Sequence, residues 1–539
     1  MTLPRPAAFC IGVAAVAVAS VAFAIAPAAS SSAGGHEARL AAPIGSAAAP
    51  TGTASATGTG TATATATAPA TNRPNIVFVL TDDLSTDLVR YMPHVRQLAA
   101  EGMSFTNYTV TDSLCCPSRT SIFTGEFPHN DGVFLNEGPD GGFGAFQANR
   151  DEAKSFAPAL EDAGYRTAFL GKYLNAYHPN SSDGTVGNIG DGGSYIPAGW
   201  TTWAGQSDGY PEYHYVVNYN HQILHFGRDP ADYGVYTLDR FGQQFITDSA
   251  AAAQPFLLEV ATFAPHKPYT PAYEDRNSFP RVRAPRNPAW NTAPANPPSW
   301  LARKARLSAR GEKTIDANYR LRVQSVQSVD RMVGHLMDTL RTAGQLSNTV
   351  FVFSSDNGYH MGQYRLHAGK MSAFDTDVNV PLVVAGPGIP AGVTSRRVVQ
   401  NTDLAPTFED LAGITPHASI DGKSLVSLLH GRPGKHWRTV ALIEHHGVDF
   451  KKYPHDPDFQ PPNAGGIPTY AALRSAKFTY VRYQDGEREF YKRASDPYEL
   501  HNIVARLRTS RIHKLNAALK ALQSCSGTTR CWAAGHLAG

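Results

Sequence analysis

The chain has 539 residues, of which 48 are Lys or Arg and 45 are Asp or Glu, and its formal net charge is +3. This length exceeds one ordinary domain and can bury a large core. Because the two signs of charge are interspersed, the composition excludes a broad basic surface of the kind that coats nucleic acid, and any recognition of anions has to be local. We therefore expect no nucleic-acid partner.

The N-terminal segment has the pattern of a secretory signal peptide. Arg5 precedes an apolar run from Phe9 to Ala26, and small residues follow it. The run is long enough for an uncleaved anchor, but its many alanines make it weakly hydrophobic, so we expect cleavage between Ala24 and Ser32. We predict a signal peptide over residues 1–29 and a secreted or cell-envelope protein without membrane contact after cleavage.

The segment after the signal peptide is predicted to be a flexible linker. Residues 30–72 consist almost entirely of Ala, Thr, Gly, Ser and Pro. Such a composition cannot bury enough apolar surface to fold. No later stretch of the sequence is apolar enough to span a membrane.

Beyond the linker, strand-like and helix-like segments alternate. The run Pro74–Asp83, PNIVFVLTDD, is apolar until it ends in two acids, as expected of a buried parallel strand. The alternation predicts an α/β fold over residues 73–430, with a large, mostly parallel central sheet flanked by helices. The other predicted strands are Ser104–Val110, Thr167–Leu170, Pro255–Val260, Thr349–Ser355 and Val380–Ala385, and the predicted helices are Pro93–Ala100, Ser155–Ala163, Tyr236–Ile246 and Ile315–Thr342.

The pattern changes after about His430. Short segments such as TVALIEHH and EFYKR are typical of antiparallel strands, and Arg508–Gln523 has a helical pattern. We predict a smaller C-terminal α+β subdomain, residues 431–539, that contains an antiparallel sheet. The Pro-rich stretch Phe279–Trp300 is predicted to be a long surface loop.

The cysteines after the signal peptide fall into two pairs. Cys525 and Cys531 flank a short stretch and can close a small disulfide-bonded loop in an oxidising compartment. Cys115 and Cys116 are adjacent, which strains any bond between them. Because Pro117 suits the first turn of a helix, we expect Cys115 at a helix N-terminus, where free N–H groups favour anions. An inert, buried cysteine pair is the alternative interpretation.

A second set of candidate residues follows two apolar runs. Asp82 and Asp83 end the first strand, and Asp356 and Asn357 follow the run TVFVF and two serines. Three carboxylates and an amide oxygen suit Ca²⁺ or Mg²⁺ and are poor ligands for zinc. Either pair alone could merely stabilise a turn, but both pairs at strand ends of one sheet indicate a metal site.

These motifs together resemble the sulfatase family. CCPSR at 115–119, with TG at 124–125, is similar to the sulfatase signature C-x-P-S-R, four residues, T-G. Further similarity extends from Pro74 to about Ile503 in TDD, GKYLN, APHKPY, SSDNGYHMGQ and DPYELHNI, and it is greatest to the N-acetylglucosamine-6-sulfatase branch. The resemblance implies the alkaline-phosphatase-like sulfatase fold. It also implies that a formylglycine-generating enzyme oxidises Cys115 to formylglycine.

The resemblance assigns roles to the candidate residues. It implies a divalent ion, Ca²⁺ with Mg²⁺ as the alternative, and side chains that hold the modified residue, bind the sulfate and assist the leaving group. The implied metal ligands are Asp82, Asp83, Asp356, Asn357 and the modified Cys115. The implied catalytic residues are Cys115, Arg119, Lys172, His266 and Lys370.

The chain departs from the common sulfatase pattern at two positions. Many sulfatases have a histidine two residues after the first catalytic lysine, where this chain has Leu174. His266 is then the expected proton donor, although His178 or His360 could share that role. The acid five residues after the second lysine is Asp375 rather than the usual Glu.

The implied reaction is hydrolysis of a sulfate monoester. One hydroxyl of the hydrated formylglycine attacks sulfur while Asp356 accepts its proton, and His266 protonates the leaving alcohol. The second hydroxyl then loses its proton, which expels sulfate and regenerates the aldehyde.

We expect an exported sulfatase that acts on sulfated sugars such as N-acetylglucosamine-6-sulfate in glycosaminoglycan degradation. One alternative is an enzyme of the same fold that acts on aryl or alkyl sulfates, or on phosphate or phosphonate esters. Another is a noncatalytic glycan-binding protein in which Cys115 stays unmodified. Asn180–Tyr215, Phe279–Trp300 and Glu444–His446 are expected to shape the sugar pocket, because binding residues concentrate on loops.

Overall fold

The apolar run after the predicted linker forms the central strand of the largest sheet. Strand β1 (Asn75–Thr81) is buried along its whole length. Its side chains alternate between two apolar clusters, with Ile76 and Leu80 on one face of the sheet and Val77 and Val79 on the other. A strand that is apolar on both faces is typical of a sheet covered by helices on both sides.

The computed structural model of the protein describes residues 73–178, 194–459 and 466–537. The predicted signal peptide, residues 1–29, and linker, residues 30–72, lie outside the described residues and stay predictions. The strands are β1 (Asn75–Thr81), β2 (Met103–Phe105), β3 (Tyr108–Thr109), β4 (Arg166–Gly171), β5 (Thr202–Ser207), β6 (Val216–Tyr219), β7 (Gln222–His225), β8 (Phe256–Ala261), β9 (Thr349–Ser355), β10 (Leu382–Ala385), β11 (Val393–Ser395), β12 (Val399–Gln400), β13 (Ala441–His445), β14 (Tyr470–Arg474), β15 (Thr479–Tyr483) and β16 (Arg488–Tyr491). The α-helices are α1 (Pro93–Glu101), α2 (Cys115–Thr124), α3 (Pro128–Asp131), α4 (Gly142–Ala148), α5 (Phe156–Asp162), α6 (Gly234–Ala251), α7 (Ser299–Ala302), α8 (Ala309–Thr342), α9 (Asp375–Val378), α10 (Leu404–Leu411), α11 (Val426–Leu429), α12 (Thr509–Leu522) and α13 (Thr528–Ala534).

The large sheet has ten strands in the order β11-β2-β10-β9-β1-β8-β4-β5-β6-β7. The five central neighbours β9, β1, β8, β4 and β5 are parallel. Antiparallel pairing occurs where β10 meets β9 and β2, and where β6 meets β5 and β7. The prediction of a large, mostly parallel sheet is confirmed. Because parallel strands end at the same edge, this order brings the residues after β9, β1, β8 and β4 together.

Helices cover both faces of the large sheet. Helices α6 and α8 pack on one face through residues such as Leu238 and Val326. Helices α2 and α10 pack on the opposite face through residues such as Phe123 and Phe408. Among the described residues, the helices are too short or too polar to cross a lipid bilayer.

The C-terminal part of the chain contains the predicted antiparallel sheet. Strands β13 to β16 pair in sequence order, each antiparallel to the next. Helix α12 packs on this sheet through Leu515 and Leu519, and the predicted disulfide joins Cys525 to Cys531. Both sheets belong to one compact unit, Ala68–Gly539, so the boundary proposed after residue 430 stays a prediction.

Two sequence-based expectations differ from the structure. The predicted strand Ser104–Val110 is divided by a turn at Asn107 into β2 and β3, which belong to different sheets. Asparagine favours turns, and the Asn107 side chain donates to the Arg396 carbonyl at 3.0 Å. The predicted loop Phe279–Trp300 is irregular until α7, but it is not purely superficial, since Ala289 lies in the core.

Candidate active site

The predicted acids meet at the carboxyl edge of the large sheet. Strands β1 and β9 are parallel neighbours, and Thr81 at the end of β1 pairs with Ser355 at the end of β9. The residues that follow are therefore side by side. The backbone N–H of Asp83 donates to Asp356 Oδ1 at 3.1 Å, and Asn357 Nδ2 donates to Asp83 Oδ1 at 2.6 Å. All four predicted metal-site residues of this edge are fully buried.

Two buried oxygen atoms at this edge have no hydrogen-bond partner among the described residues, Asp83 Oδ2 and Asn357 Oδ1. A buried polar atom without a partner costs about 1–3 kcal/mol, so such atoms usually bind water or an ion. Carboxylate and amide oxygens are the donors that hard divalent cations prefer. Potential ligand atoms within 4.8 Å of one another belong to Asp82, Asp83, Cys115 and His266. The residues present therefore fit a divalent metal ion.

Helix α2 places the first cysteine in this cluster and the second in the apolar core. The helix begins at Cys115, as predicted. Cys115 Sγ lies 3.3 Å from Asp82 Oδ1, and Lys370 Nζ lies 2.7 Å from the same sulfur. Cys116 belongs to the apolar core, and its backbone N–H donates to Asn136 Oδ1 at 3.1 Å. Both thiols are buried and free.

An unmodified thiol at position 115 is a poor nucleophile. Burial, with a contribution from the Asp82 carboxylate, raises the pKa of the Cys115 thiol well above its usual value, despite two nearby lysines. Because the thiolate is the reactive form of cysteine, a thiol that stays protonated at neutral pH reacts slowly.

Two cations of the cluster are fixed by acidic partners. Within α2, Arg119 donates from Nε to Asp356 Oδ2 at 2.8 Å and from Nη1 to the Lys172 carbonyl at 2.6 Å. Lys172 follows strand β4 and forms an ion pair with Asp82, and its Nζ lies 5.0 Å from the centre of the Tyr210 ring. Although burial disfavours the ammonium form, Asp82 raises the pKa of Lys172 well above its usual value, so Lys172 stays protonated.

Asp458, a residue that the motifs did not indicate, lies beside Cys115. Its carboxylate contacts both Lys370 and His266. Asp458 Oδ1 lies 2.9 Å from Lys370 Nζ and 3.1 Å from His266 Nε2, and Asp458 Oδ2 lies 3.6 Å from Cys115 Sγ. His266 Nδ1 lies 2.7 Å from the Lys267 carbonyl oxygen, which only accepts, so Nδ1 donates and Nε2 faces the cluster. Lys370 and His266 thus bind the Asp458 carboxylate next to residue 115, as they would bind another oxyanion.

The family of the chain follows from its similarity to known proteins. The sulfatase family profile matches residues 74–414, and a profile described as N-sulphoglucosamine sulphohydrolase, C-terminal, matches residues 362–524. The chain belongs to the sulfatase family. It is a sulfuric ester hydrolase, as predicted.

Known proteins resemble this sulfatase over much of its length. It is 34% identical over 485 residues to N-acetylglucosamine-6-sulfatase of Homo sapiens, and the match covers 85% of this chain and 86% of the relative. It is 35% identical over 385 residues to an extracellular sulfatase of Drosophila melanogaster, and the match covers 70% of this chain and 33% of the relative. One solved structure with the same fold, in complex with its substrate D-glucosamine-2-N,6-O-disulfate, has a TM-score of 0.67 and 21% identity, and the match covers 84% of this chain and 97% of that chain. The predicted similarity to the N-acetylglucosamine-6-sulfatase branch is confirmed.

The two histidines proposed to share the proton transfer have other partners in the sulfatase. His178 Nδ1 lies 3.3 Å from Ser207 Oγ, and His360 Nδ1 lies 2.9 Å from an Asp377 oxygen. In the described part of the chain, neither contacts the acids after β1 and β9. His266 remains the predicted histidine that lies at the cluster.

The two positions at which this sulfatase departs from the common pattern have structural roles. Asp375 forms ion pairs with Arg474 and Arg493, each at 2.6 Å. Leu174 packs in the apolar core and is 3% exposed. Asp375 therefore stabilises the connection to the C-terminal sheet, and Leu174 contributes apolar packing at the position where many sulfatases have a histidine.

The segments expected to shape the sugar pocket take different places. From Asn180–Tyr215, Tyr210 packs on His266, with ring centres 4.6 Å apart, while residues up to 193 lie outside the described residues. Glu444–His446 lines a different cavity of about 430 Å³, whose described lining residues include none of the catalytic side chains. The role of these segments in sugar recognition stays a prediction.

The cluster contains equal numbers of acidic and basic side chains. These are the acids Asp82, Asp83, Asp356 and Asp458 and the bases Arg119, Lys172, His266 and Lys370. Burial opposes ionisation, but neighbouring carboxylates raise the pKa of His266, and Lys370 and His266 hold the pKa of Asp458 well below its usual range. A divalent cation added to this balanced set would give a net positive site, which suits a sulfate ester anion.

Proposed function

We propose that this sulfatase removes the 6-sulfate from N-acetylglucosamine units of sulfated saccharides, outside the cell or in the cell envelope. Support for the sugar comes from the human N-acetylglucosamine-6-sulfatase relative and from the fold neighbour bound to a glucosamine disulfate. Support for export comes from the N-terminal sequence and from the extracellular relative. The oxyanion site that Lys370 and His266 form beside residue 115 is the observation that carries the proposal.

Residue 115 is proposed to act as formylglycine, produced from Cys115 by a formylglycine-generating enzyme. Hydrated to a geminal diol, formylglycine supplies an oxygen nucleophile. Two observations support this: the sulfatase signature and the position at the start of α2, within the catalytic cluster.

The metal ion is proposed to be Ca²⁺, with Mg²⁺ as the alternative, held by residue 115 together with Asp82, Asp83, Asp356 and Asn357. When bound, a divalent ion acidifies the nucleophile and stabilises negative charge on the sulfate oxygens. The unpaired oxygens of Asp83 and Asn357 and the all-oxygen protein ligands support this assignment.

The protein side chains bind the ester and move its protons. Lys370 binds a sulfate oxygen, and Lys172 adds positive charge to the same pocket. Asp356, which lies at the carboxyl edge beside Asp83, accepts the proton of the attacking hydroxyl. His266 protonates the departing sugar oxygen from Nε2, because its Nδ1 is engaged by a backbone carbonyl.

A panel of saccharides, each sulfated at one known position, tests the proposed function. Aryl sulfate and aryl phosphate serve as references, and kcat/KM is compared across the panel. We expect the highest kcat/KM for N-acetylglucosamine-6-sulfate, because a site that hydrogen-bonds sugar hydroxyls rejects substrates that lack them. Preference for an aryl ester, or indifference to the sulfate position, would contradict the proposed substrate. Binding of saccharides without hydrolysis would indicate the noncatalytic alternative.

A further inference from the structure

A cavity of about 540 Å³ opens beside the catalytic cluster, and we call it the adjoining cavity. Lys370 and Asp458 belong both to the cluster and to the lining of this cavity, so the cavity borders the cluster. Its other walls come from the segment after His266, the first turns of α8 and the segment that ends at Phe459. Its volume lies within the range of about 300–1,000 Å³ that is usual for small-molecule sites.

Three exposed basic side chains line the adjoining cavity: Lys267, Arg310 and His367. In the part of the chain that the structure describes, none of these side chains has an ion-pair or hydrogen-bond partner. Asp458 is the one acid among the described lining residues, and its carboxylate is already paired within the catalytic cluster. Within residues 73–178, 194–459 and 466–537, this positive charge of the cavity therefore has no acidic partner of its own.

The acids nearest in sequence to Arg310 on α8 are engaged by other residues. Glu312 Oε1 accepts a hydrogen bond from Asn291 Nδ2 at 2.8 Å. Asp316 Oδ2 forms an ion pair with an Arg286 guanidinium nitrogen at 2.8 Å. Neither carboxylate is among the described residues that line the cavity. Arg310 is thus available to an external anion.

Aromatic side chains accompany the basic groups. Tyr269 and Tyr359 line the adjoining cavity, and their hydroxyl oxygens lie 2.8 Å apart, which fixes both rings. Phe459 also lines the cavity and is 37% exposed, which is high for a phenylalanine. Apolar ring faces beside a few polar groups are typical of pockets that bind organic ligands, and a sugar ring has an apolar face that can pack on them.

We propose that the adjoining cavity binds a second anionic group, a sulfate or a carboxylate, on the same saccharide whose 6-sulfate is hydrolysed at residue 115. This inference rests on the proposed function and adds a substrate class, namely saccharides with at least two negative charges. Arg310 offers the planar, two-pronged contact that suits sulfate and carboxylate, Lys267 adds charge, and His367 adds a hydrogen-bonding side chain. Because these groups are exposed, salt screens their contribution.

A double variant and a matched control test this inference. Lys267→Gln combined with Arg310→Gln removes two charges from the cavity. Lys313→Gln is the control, because Lys313 is exposed on the same helix but is not among the residues that line the cavity. The substrates are 6-sulfated N-acetylglucosamine linked to a neutral sugar, the same unit linked to a uronic acid, and glucosamine-2-N,6-O-disulfate. The quantity compared is the ratio of kcat/KM between each doubly anionic substrate and the singly anionic one.

We expect the unsubstituted sulfatase to favour the doubly anionic substrates and to lose that preference as salt is added. The double variant should lower the ratio by about tenfold, in line with the loss of two exposed ion contacts. Lys313→Gln should leave the ratio unchanged. The uronic acid and disulfate arms identify whether carboxylate or sulfate is the preferred anion. An unchanged ratio in the double variant, or an equal decrease in the control, would overturn the proposal.

Measurements of saccharide binding to the Cys115→Ala variant test this proposal independently of the proposed function. Calorimetry measures the dissociation constant of the doubly anionic saccharides with and without the Lys267→Gln and Arg310→Gln substitutions. Binding that weakens about tenfold, the equivalent of the expected kcat/KM change, supports the cavity even if the active enzyme prefers another ester. Binding that does not respond to the two substitutions contradicts the cavity, whatever the active enzyme hydrolyses.

Discussion

The catalytic cluster and the adjoining cavity use similar side chains in opposite environments. In the cluster, Lys172 and Arg119 are buried and paired with Asp82 and Asp356. In the cavity, Arg310 is exposed and has no side-chain partner in the described part of the chain. Breaking a buried ion pair costs about 3–5 kcal/mol, whereas an exposed pair contributes about 0.2–1 kcal/mol. The buried ion pairs therefore hold the side chains of the cluster in one geometry. The exposed groups of the cavity contribute smaller energies, which can change the preference between substrates.

The cysteine pair gives the largest expected effect within the cluster. Cys115→Ala removes the residue proposed to become the nucleophile, so turnover should fall by at least about a thousandfold. Cys116→Ala removes a sulfur atom from the apolar core, so it should cost about 1 kcal/mol of stability and largely spare turnover. Turnover of a sulfated saccharide and the Tm of both variants check this. Similar turnover in the two variants would contradict the role of residue 115 as the nucleophile.

Removal of the divalent ion should have the next largest effect. Chelation should remove most turnover, and Ca²⁺ or Mg²⁺ should restore it, whereas Zn²⁺ should restore it poorly because the proposed protein ligands are oxygen atoms. Ca²⁺ at a hundred times its Kd should also stabilise the metal-free protein by about 2.7 kcal/mol, measured as a rise in Tm. Full activity in protein freed of metal would contradict the roles of Asp83 and Asn357.

Asp458 belongs to both regions, so its substitution tests how the segment that lines the cavity positions the catalytic side chains. Asp458→Asn removes the charge that orients Lys370 and His266, and kcat/KM should fall by about ten- to a hundredfold for sugar and aryl sulfates alike. Asp456→Asn is the matched control, because Asp456 contacts Asn136 and the backbone N–H of Asp458, contacts that asparagine can keep. An equal decrease of kcat/KM in the two variants would show that the effect comes from the conformation of the segment that contains Asp456 and Asp458.

Glu259 is an acid outside the cluster that is as buried as the cluster acids but lacks their hydrogen-bond partners. It lies in β8, and neither carboxylate oxygen has a hydrogen-bond partner among the described residues. Burial raises the pKa of Glu259 from 4.5 to about 8. The folded state therefore holds this proton more tightly than the unfolded chain, and the contribution of Glu259 to stability decreases as the pH rises from about 4.5 to about 8.

Glu259→Gln should remove this pH dependence, an effect on stability rather than on turnover. Relative to the unsubstituted protein, the variant should be more stable at pH 8 than at pH 5, with a free energy of unfolding that is higher by about 1–3 kcal/mol. Urea unfolding at both pH values measures this difference. Parallel pH profiles for the two proteins would contradict the raised pKa.

Much of the fold could be predicted from hydrophobic patterning. The buried runs of β1, β8 and β9 are continuous in sequence and became parallel neighbours in the structure. The predicted strand Ser104–Val110 was wrong because its apolar residues hide a turn at Asn107, which is fixed by a contact to the distant Arg396. Local patterns predict where a buried strand runs, but they do not show where a chain changes from one sheet to another.

The candidate site could be predicted where its residues follow strands or belong to motifs. Asp82 and Asp356 come directly after buried strands, so the order of the sheet alone brings them together. Asp458 lies in an irregular segment between β13 and β14, and its approach to Lys370 depends on packing between distant parts of the chain. The exposure of Arg310 likewise depends on which neighbours the fold supplies, so no local pattern could indicate it.

Mass spectrometry of active enzyme shows whether residue 115 reacts as formylglycine. The sulfatase is produced in a host that contains a formylglycine-generating enzyme, its turnover is measured, and the peptide that spans residue 115 is analysed from the same preparation. Conversion of the thiol side chain to an aldehyde predicts a peptide about 18 Da lighter than the encoded sequence, in proportion to the specific activity. Full activity in protein whose Cys115 is entirely an unmodified thiol would contradict the account.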